Sequence, residues 1–200
     1  MTGSTADSQQ TRGRYVFTVG HSNHGPEGFL RLLTAHGIEL LIDVRSRPYS
    51  RFCPHFNIKR LRRSVEEIGL TYLYLGGSVG GKPDEDEFYD DEGYVLYYLL
   101  ARSERFQEGI AEIERYCDEK RTAIMCAEED PLRCHRRFLI GRVLAERGVT
   151  LKHIRGNGRL QTDEELTGSQ PDNRRKDRQM GLFEDDQTQL WKSPRPVRER

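Results

Sequence analysis

Three things that would narrow the function quickly are missing from this sequence. It has no net charge: 32 basic residues balance 32 acidic ones, so no global field marks it as a nucleic-acid or membrane binder. It has no apolar run near the roughly 18 residues a bilayer-spanning helix needs, and Met1 to Arg14 lacks the apolar core of a secretion signal. Its four cysteines, Cys53, Cys117, Cys126 and Cys134, follow no regular spacing, which argues against a disulfide framework. A reduced, cytoplasmic protein with no membrane association is expected. Two hundred residues suffice for one domain of ordinary size with a real core.

What is present is an alternation of short apolar runs with amphipathic ones. Tyr15 to Val19, Leu40 to Val44, Thr71 to Leu75, Ala123 to Met125 and Val149 to Ile154 read as strands, being β-branched or aromatic and bounded by turn residues. Between them, Pro26 to His36, Ile58 to Ile68, Glu104 to Cys117 and Leu132 to Arg147 carry helical periodicity. Pro26 suits a first helical turn, Asn57 an N-cap, and Gly69 a C-terminal stop. Strand–helix alternation predicts a single three-layer α/β domain, its mainly parallel sheet having about five strands. Residues 1–14 and 157–200 are polar and aperiodic and read as a disordered N-terminus and tail, leaving 15–156 for the domain.

In such a sheet the strand carboxyl ends share one edge, where ligands of open α/β folds sit. Three loops should meet there: His21-Ser22, Asp43 to Arg47, and Cys126 to Arg136. Cys126 is a candidate nucleophile at a strand end, with buried inert cysteine as the bland alternative. Glu128 and His21 are candidate proton carriers, although Asp130 and the glutamates before Pro131 also suit helix capping. Ser22, Asp43, Arg45, Arg47, Cys134, His135 and Arg136 are candidate substrate contacts. An arginine fork can grip phosphate or carboxylate, while an internal Asp43–Arg45 pair would merely fix loops. Arg133 lies one residue too far for a Cys-x5-Arg phosphate cradle. Gly76-Gly77 and Gly80-Gly81 permit close approach to a ligand, but Lys82 does not complete a nucleotide P-loop. No metal is expected: Cys134 and His135, adjacent on a helix, would diverge by about 100°, and a fourth ligand is not obvious. No motif identifies a cofactor.

Five ordered motifs add a further expectation. Gly20-His21-Ser22, Asp43-Val44-Arg45-Ser46-x-Pro48, Pro54-x-Phe56-Asn57, Leu75-Gly76-Gly77 and Cys126-Ala127-Glu128-x-x-Pro131-x-x-Cys134-His135-Arg136 resemble the bacterial and archaeal family catalogued as domain of unknown function 488. The resemblance runs from about Tyr15 to Ile154. It implies a compact α/β domain and makes His21, Ser22, Asp43, Arg45, Cys126, Glu128, Cys134, His135 and Arg136 characteristic positions, without implying an activity. The acidic stretch Asp84 to Asp91 departs from the more basic or mixed segment expected there.

In the tail, Gln179-Met-Gly-Leu182-Phe183 resembles the peptide by which bacterial replication and repair proteins dock on the sliding clamp, and the basic run Arg174 to Arg178 suits nucleic acid. Docking of this segment on its own domain is the alternative, and Trp191 is a second candidate anchor. Two functions stay open. The chain is an enzyme acting on a nucleotide or nucleic acid, in keeping with the basic aromatic loop Arg47 to Phe56, or a non-catalytic binding module recruited through its tail.

Overall fold

The computed structural model describes residues 14–22, 24–168 and 191–198. The clamp-like peptide with Gln179, Leu182 and Phe183, and the basic run at 174–178, lie outside these residues. The apolar runs form strands β1 (Tyr15–Gly20), β2 (Leu40–Asp43), β3 (Thr71–Tyr74), β4 (Thr122–Cys126) and β5 (Thr150–Ile154). The main helices are α1 (Pro26–Ala35), α2 (Ile58–Glu67), the short α3 (Gly76–Val79) and α4 (Tyr97–Leu100), and α5 (Glu104–Glu119). A π-helical turn (Arg136–Gly141) leads into α6 (Arg142–Glu146). Among the described residues no helix is long and apolar enough to cross a membrane.

The sheet runs β3-β2-β4-β1-β5 with every pair parallel. The inner strands β1, β2 and β4 are covered on both faces and so are mostly apolar rather than alternating. Side chains nonetheless sort with period two. Phe17, Val19, Leu41, Ala123 and Met125 pack with Phe29, Leu32 and Leu33 of α1 and with Leu61 and Val65 of α2. Val16, Leu40, Ile42, Ile124 and Leu151 pack on the other face with Val79, Phe106, Ile110, Ile113 and Leu144 from α3, α5 and α6. Each fully buried Leu, Ile or Phe contributes roughly 1.5–3 kcal/mol of transfer free energy, which makes these two layers the main adhesive of the fold.

The chain continues past residue 156 into a sixth strand, β6 (Leu160–Thr162), antiparallel to β5, and a last helical turn, α7 (Asp163–Gly168). Leu-Gln-Thr is too short and polar to announce itself; the Arg155–Gly158 turn brings it back onto β5. Residues 191–198 also return to the domain. Trp191 donates its indole N–H to the Phe138 carbonyl at 2.8 Å and meets Tyr97 edge-on, and Ser193 is buried. Trp191 is thus spent on its own chain rather than left as an anchor. The acidic stretch after Asp84 is held as well, through buried Phe88, a Tyr89–Val95 bridge and an ion pair from Lys192 to Asp90.

Two helix expectations change in detail. Asn57 occupies the N-cap position of α2, but its side chain accepts from the Ser50 amide at 2.7 Å instead of capping. The helix expected over Leu132–Arg147 is broken. Asp130 caps a single 3₁₀ turn, Pro131–Arg133, and Cys134 then turns extended (φ −128°, ψ 138°) before the π-turn begins.

Candidate functional site

Register places the three loops together. Gly20 pairs with Cys126 and Asp43 with Met125, so the chain leaves β1, β2 and β4 side by side. Backbone bonds continue past the strands, from His21 N–H to the Cys126 carbonyl, Ser22 N–H to that of Ala127, and Val44 N–H to that of Met125. Ser22 takes a left-handed backbone (φ 37°), unusual for a residue with a side chain.

At this edge lies a compact cluster. The Cys126 thiol donates to Glu128 Oε2 at 3.1 Å, and the Cys134 thiol donates to the same oxygen at 3.4 Å. His135 Nδ1 stands 3.6 Å from Cys126 Sγ and 3.9 Å from Cys134 Sγ. Cys134 and His135 converge because Cys134 is extended and lies before the helical turn, so the 100° helical divergence does not apply. His135 Nε2 donates to the Val44 carbonyl at 3.1 Å, which turns Nδ1 toward the sulfurs. Gly81 backs the imidazole so closely that a Cβ would fall 2.6 Å from its Cγ. Likewise Gly76 lies against the Arg45 carbonyl, so these glycines make room for the chain itself.

Both thiols are buried and influence one another. Cys126 is pushed well above the ordinary thiol value by its hydrogen bond with Cys134, by burial, and by the negative charge of Cys134 and Glu128. Burial would also raise Cys134, but the Cys126 hydrogen bond, the Arg136 charge and His135 together hold it below that value. Of the two thiols Cys134 is thus the more readily ionised, and on ionising it gives up its hydrogen bond to Glu128. Burial opposes ionisation of Glu128 too, yet the Cys126 hydrogen bond and its other donors hold it at about 2. It is a carboxylate at neutral pH and not a proton donor. Its other oxygen, Oε1, meets Arg195 of the returning C-terminal segment at 3.1 Å.

His21, Asp43 and Arg45 form a second, separate group. Arg45 Nε and Nη2 clasp Asp43 at 2.9 and 2.6 Å, Nη2 also donates to the Phe56 carbonyl at 2.8 Å, and Nη1 donates to His21 Nε2 at 3.2 Å. Tyr72 adds a 2.7 Å bond to Asp43 Oδ2. Asp43 is fully buried and Arg45 nearly so. All three guanidinium nitrogens are engaged within the protein, which is the loop-fixing reading of the pair. His21 stacks on Phe56 (4.2 Å between centroids), and its Nδ1 donates to the Ser22 carbonyl. Burial, then the neighbouring Arg45 charge, lower it to about 4, so it is neutral at pH 7 with Nε2 occupied as an acceptor.

Arg136 is buried, not presented to solvent. It donates to Thr18 Oγ1 at 3.3 Å and to the carbonyls of Glu128 and Glu129, and so holds the loop carrying the site carboxylate. Thr18 in turn meets His153 Nδ1 at 2.7 Å, and His153 Nε2 meets Asp163, which Arg137 clasps. Because Arg136 can only donate, the Thr18 hydroxyl donates its hydrogen bond to His153 Nδ1, and Nε2 carries the hydrogen toward Asp163. Sequence reasoning passed over Thr18 and His153; the available signal was a polar residue inside an otherwise apolar strand for Thr18, while β5 is polar enough to hide His153. Arg195 carried no such signal. Arg47 projects from the rim, 79% exposed, near Asp84.

Fold and site together define an open α/β protein with a thiol–carboxylate–imidazole cluster at the carboxyl edge of its parallel strands. Residues 25–143 match the family described as "Domain of unknown function DUF488", and the chain belongs to that family. The match contains the whole Cys126–Arg136 motif and begins just after His21 and Ser22. No curated protein and no solved structure matches the chain.

Proposed function

We propose that this protein engages a nucleic-acid strand along residues 47–63 and holds it beside the cluster at the sheet edge. One observation carries the reading. Phe52 is 94% exposed and Tyr49 71% exposed, in a stretch where seven basic residues and no acidic one fall between Arg45 and Arg63. Aromatic rings left in water among cations match a surface on which bases stack while phosphates are neutralised. The segment is continuous with the edge: His55 reaches the His24 carbonyl, and Phe56 lies under His21. Arg51, Lys59, Arg60, Arg62 and Arg63 are all exposed along it.

Fluorescence anisotropy with labelled single-stranded and duplex DNA and RNA tests this. Binding should favour single strands and weaken with salt. Phe52→Ala should cost about tenfold or more in Kd, as one lost base stack does, and Arg51→Ala should lower the salt slope by about one. Absence of binding to all four probes at low salt would overturn the proposal.

A second reading, catalysis on the bound nucleotide unit, is favoured by the contact of Cys126, Glu128 and His135. In it Glu128 acts as a carboxylate, and His21, with both ring nitrogens taken, orients rather than carries protons. Turnover abolished on Glu128→Gln but only reduced on His21→Ala is the expected pattern. Four free cysteines support a reduced, cytoplasmic setting. Recruitment through Gln179, Leu182 and Phe183 belongs to the same proposal; binding of the tail peptide to a sliding clamp, lost on Phe183→Ala, tests it.

A further inference from the structure

We infer that Cys126, Cys134, His135 and Glu128 bind a divalent cation of the zinc class. The donor atoms of the first three lie within 4.8 Å of one another. Glu128 Oε2 closes the set, giving four sulfur-to-nitrogen or sulfur-to-oxygen separations of 3.1, 3.4, 3.6 and 3.9 Å. Tetrahedral zinc, with Zn–S near 2.3 Å and Zn–N or Zn–O near 2.0–2.2 Å, requires such edges to be about 3.5–3.6 Å. These are four of the six edges of the tetrahedron, and they straddle that length.

The surroundings are those of a prepared ligand set. A backbone carbonyl can only accept, so the Val44 oxygen fixes the hydrogen of His135 on Nε2 and leaves Nδ1 facing the sulfurs. Gly81 packs against the ring and fixes its plane. Arg136 pins the backbone of Glu128, and Arg195 on Oε1 leaves Oε2 as the inward oxygen. Two sulfurs, one imidazole and one carboxylate select zinc, cobalt or cadmium over the hard cations, which prefer all-oxygen sites.

The ligands are not equivalent. Cys126 and Cys134 are buried at 5% and 1% exposure, whereas Glu128 keeps 31% of its side chain in solvent. The thiols and His135 are the fixed ligands and Glu128 is the exchangeable one, the place where water or a substrate oxygen enters. On coordination each thiol gives its proton to solvent as a thiolate–metal bond forms, with no change of oxidation state. This inference does not depend on the nucleic-acid proposal, since it is tested without any nucleic acid.

The full chain, freed of metal with a chelator, is titrated with cobalt(II), followed by displacement with zinc. Expected are one equivalent bound, the thiolate-to-cobalt charge-transfer band and the visible bands of tetrahedral cobalt, all lost on zinc addition. Cys134→Ser should remove most of the charge-transfer intensity, and Glu128→Gln should keep the thiolate band while weakening binding. Because a cysteine variant can fail to fold, the wild-type chain provides a second readout. Zinc should protect Cys126 and Cys134, but not Cys53, from iodoacetamide as mapped by mass spectrometry. No cobalt bands together with labelling at these two cysteines that zinc leaves unchanged would overturn the inference. The cluster would then be a hydrogen-bonded thiol–carboxylate pair only.

Discussion

Replacing Asp43 offers the clearest test of how the edge is built. Its carboxylate takes the Arg45 backbone amide at 3.1 Å, two guanidinium bonds at 2.6 and 2.9 Å, and the Tyr72 hydroxyl at 2.7 Å, with no exposure to solvent. Asp43→Ala leaves a buried cation without a counter-ion and a buried hydroxyl without an acceptor. Breaking one side of such a pair costs about 3–5 kcal/mol, a large share of the roughly 5–15 kcal/mol that holds a domain together. With a urea m-value of about 2 kcal/mol/M, the unfolding midpoint should fall by about 2 M. Arg45→Met should cost less, and the double variant Asp43→Leu/Arg45→Met should recover part of the loss, because an apolar pair of similar volume needs no charge compensation. Equilibrium urea unfolding of Asp43→Leu, Arg45→Met and the double variant closes the cycle and gives the coupling directly. A loss below about 1 kcal/mol for Asp43→Ala, or a double variant as weak as the sum of the singles, would refute the clasp. Arg45 would then be free to act on a ligand.

Two further perturbations probe the support of the site. Burial alone would raise the Asp163 carboxyl, but hydrogen bonds from His153 and Arg137 hold it at about 2, below the ordinary 3.8. A lowered folded value means that the contribution is full above about pH 4 and disappears as pH falls toward 2. Urea midpoints of wild type and Asp163→Asn should therefore differ at pH 6 and converge near pH 2; a constant difference would refute the linkage. Gly81→Ala forces a methyl into the His135 ring and should cost about 1–3 kcal/mol. Gly77→Ala, with nothing within 4 Å, should be neutral or slightly stabilising, and equal melting temperatures for the two would show that Gly81 does not back His135.

The fold was readable because it is written in the two periodicities that burial imposes. Leu40 to Val44 and Ala123 to Met125 have to be apolar on both sides to lie between two helical layers, so they stand out from the polar sequence around them. Phe106, Ile110 and Ile113 recur at helical spacing because only one side of α5 meets the sheet. β6 fails this test: an edge strand of three residues held by backbone bonds to β5 needs no apolar side chains. The returning segment at 191–198 was hidden for the same reason, since it is held by Trp191, buried Ser193 and backbone bonds to Val95 and Gly93.

The site was half legible, and the missing half comes from backbone geometry rather than residue type. Cys126, Glu128, Cys134 and His135 were all visible as reactive types near one strand end. Whether they converge depends on the φ and ψ of one residue. Helical at Cys134, the chain would separate its side chain from His135 by about 100°; extended, as it is, it brings both to one point. Pro131 has its own part in this. It suits the first turn after Asp130, whose carboxylate takes the Leu132 amide, and the turn closes after three residues instead of propagating. The roles of the arginines divide on burial in the same way. A guanidinium at a strand end can face a ligand or the protein, and Arg45 and Arg136 face the protein because carboxylate and carbonyl acceptors of the neighbouring loops lie within reach. The nucleic-acid surface proposed along 47–63 rests instead on cations that stay exposed there, beside two exposed aromatic rings.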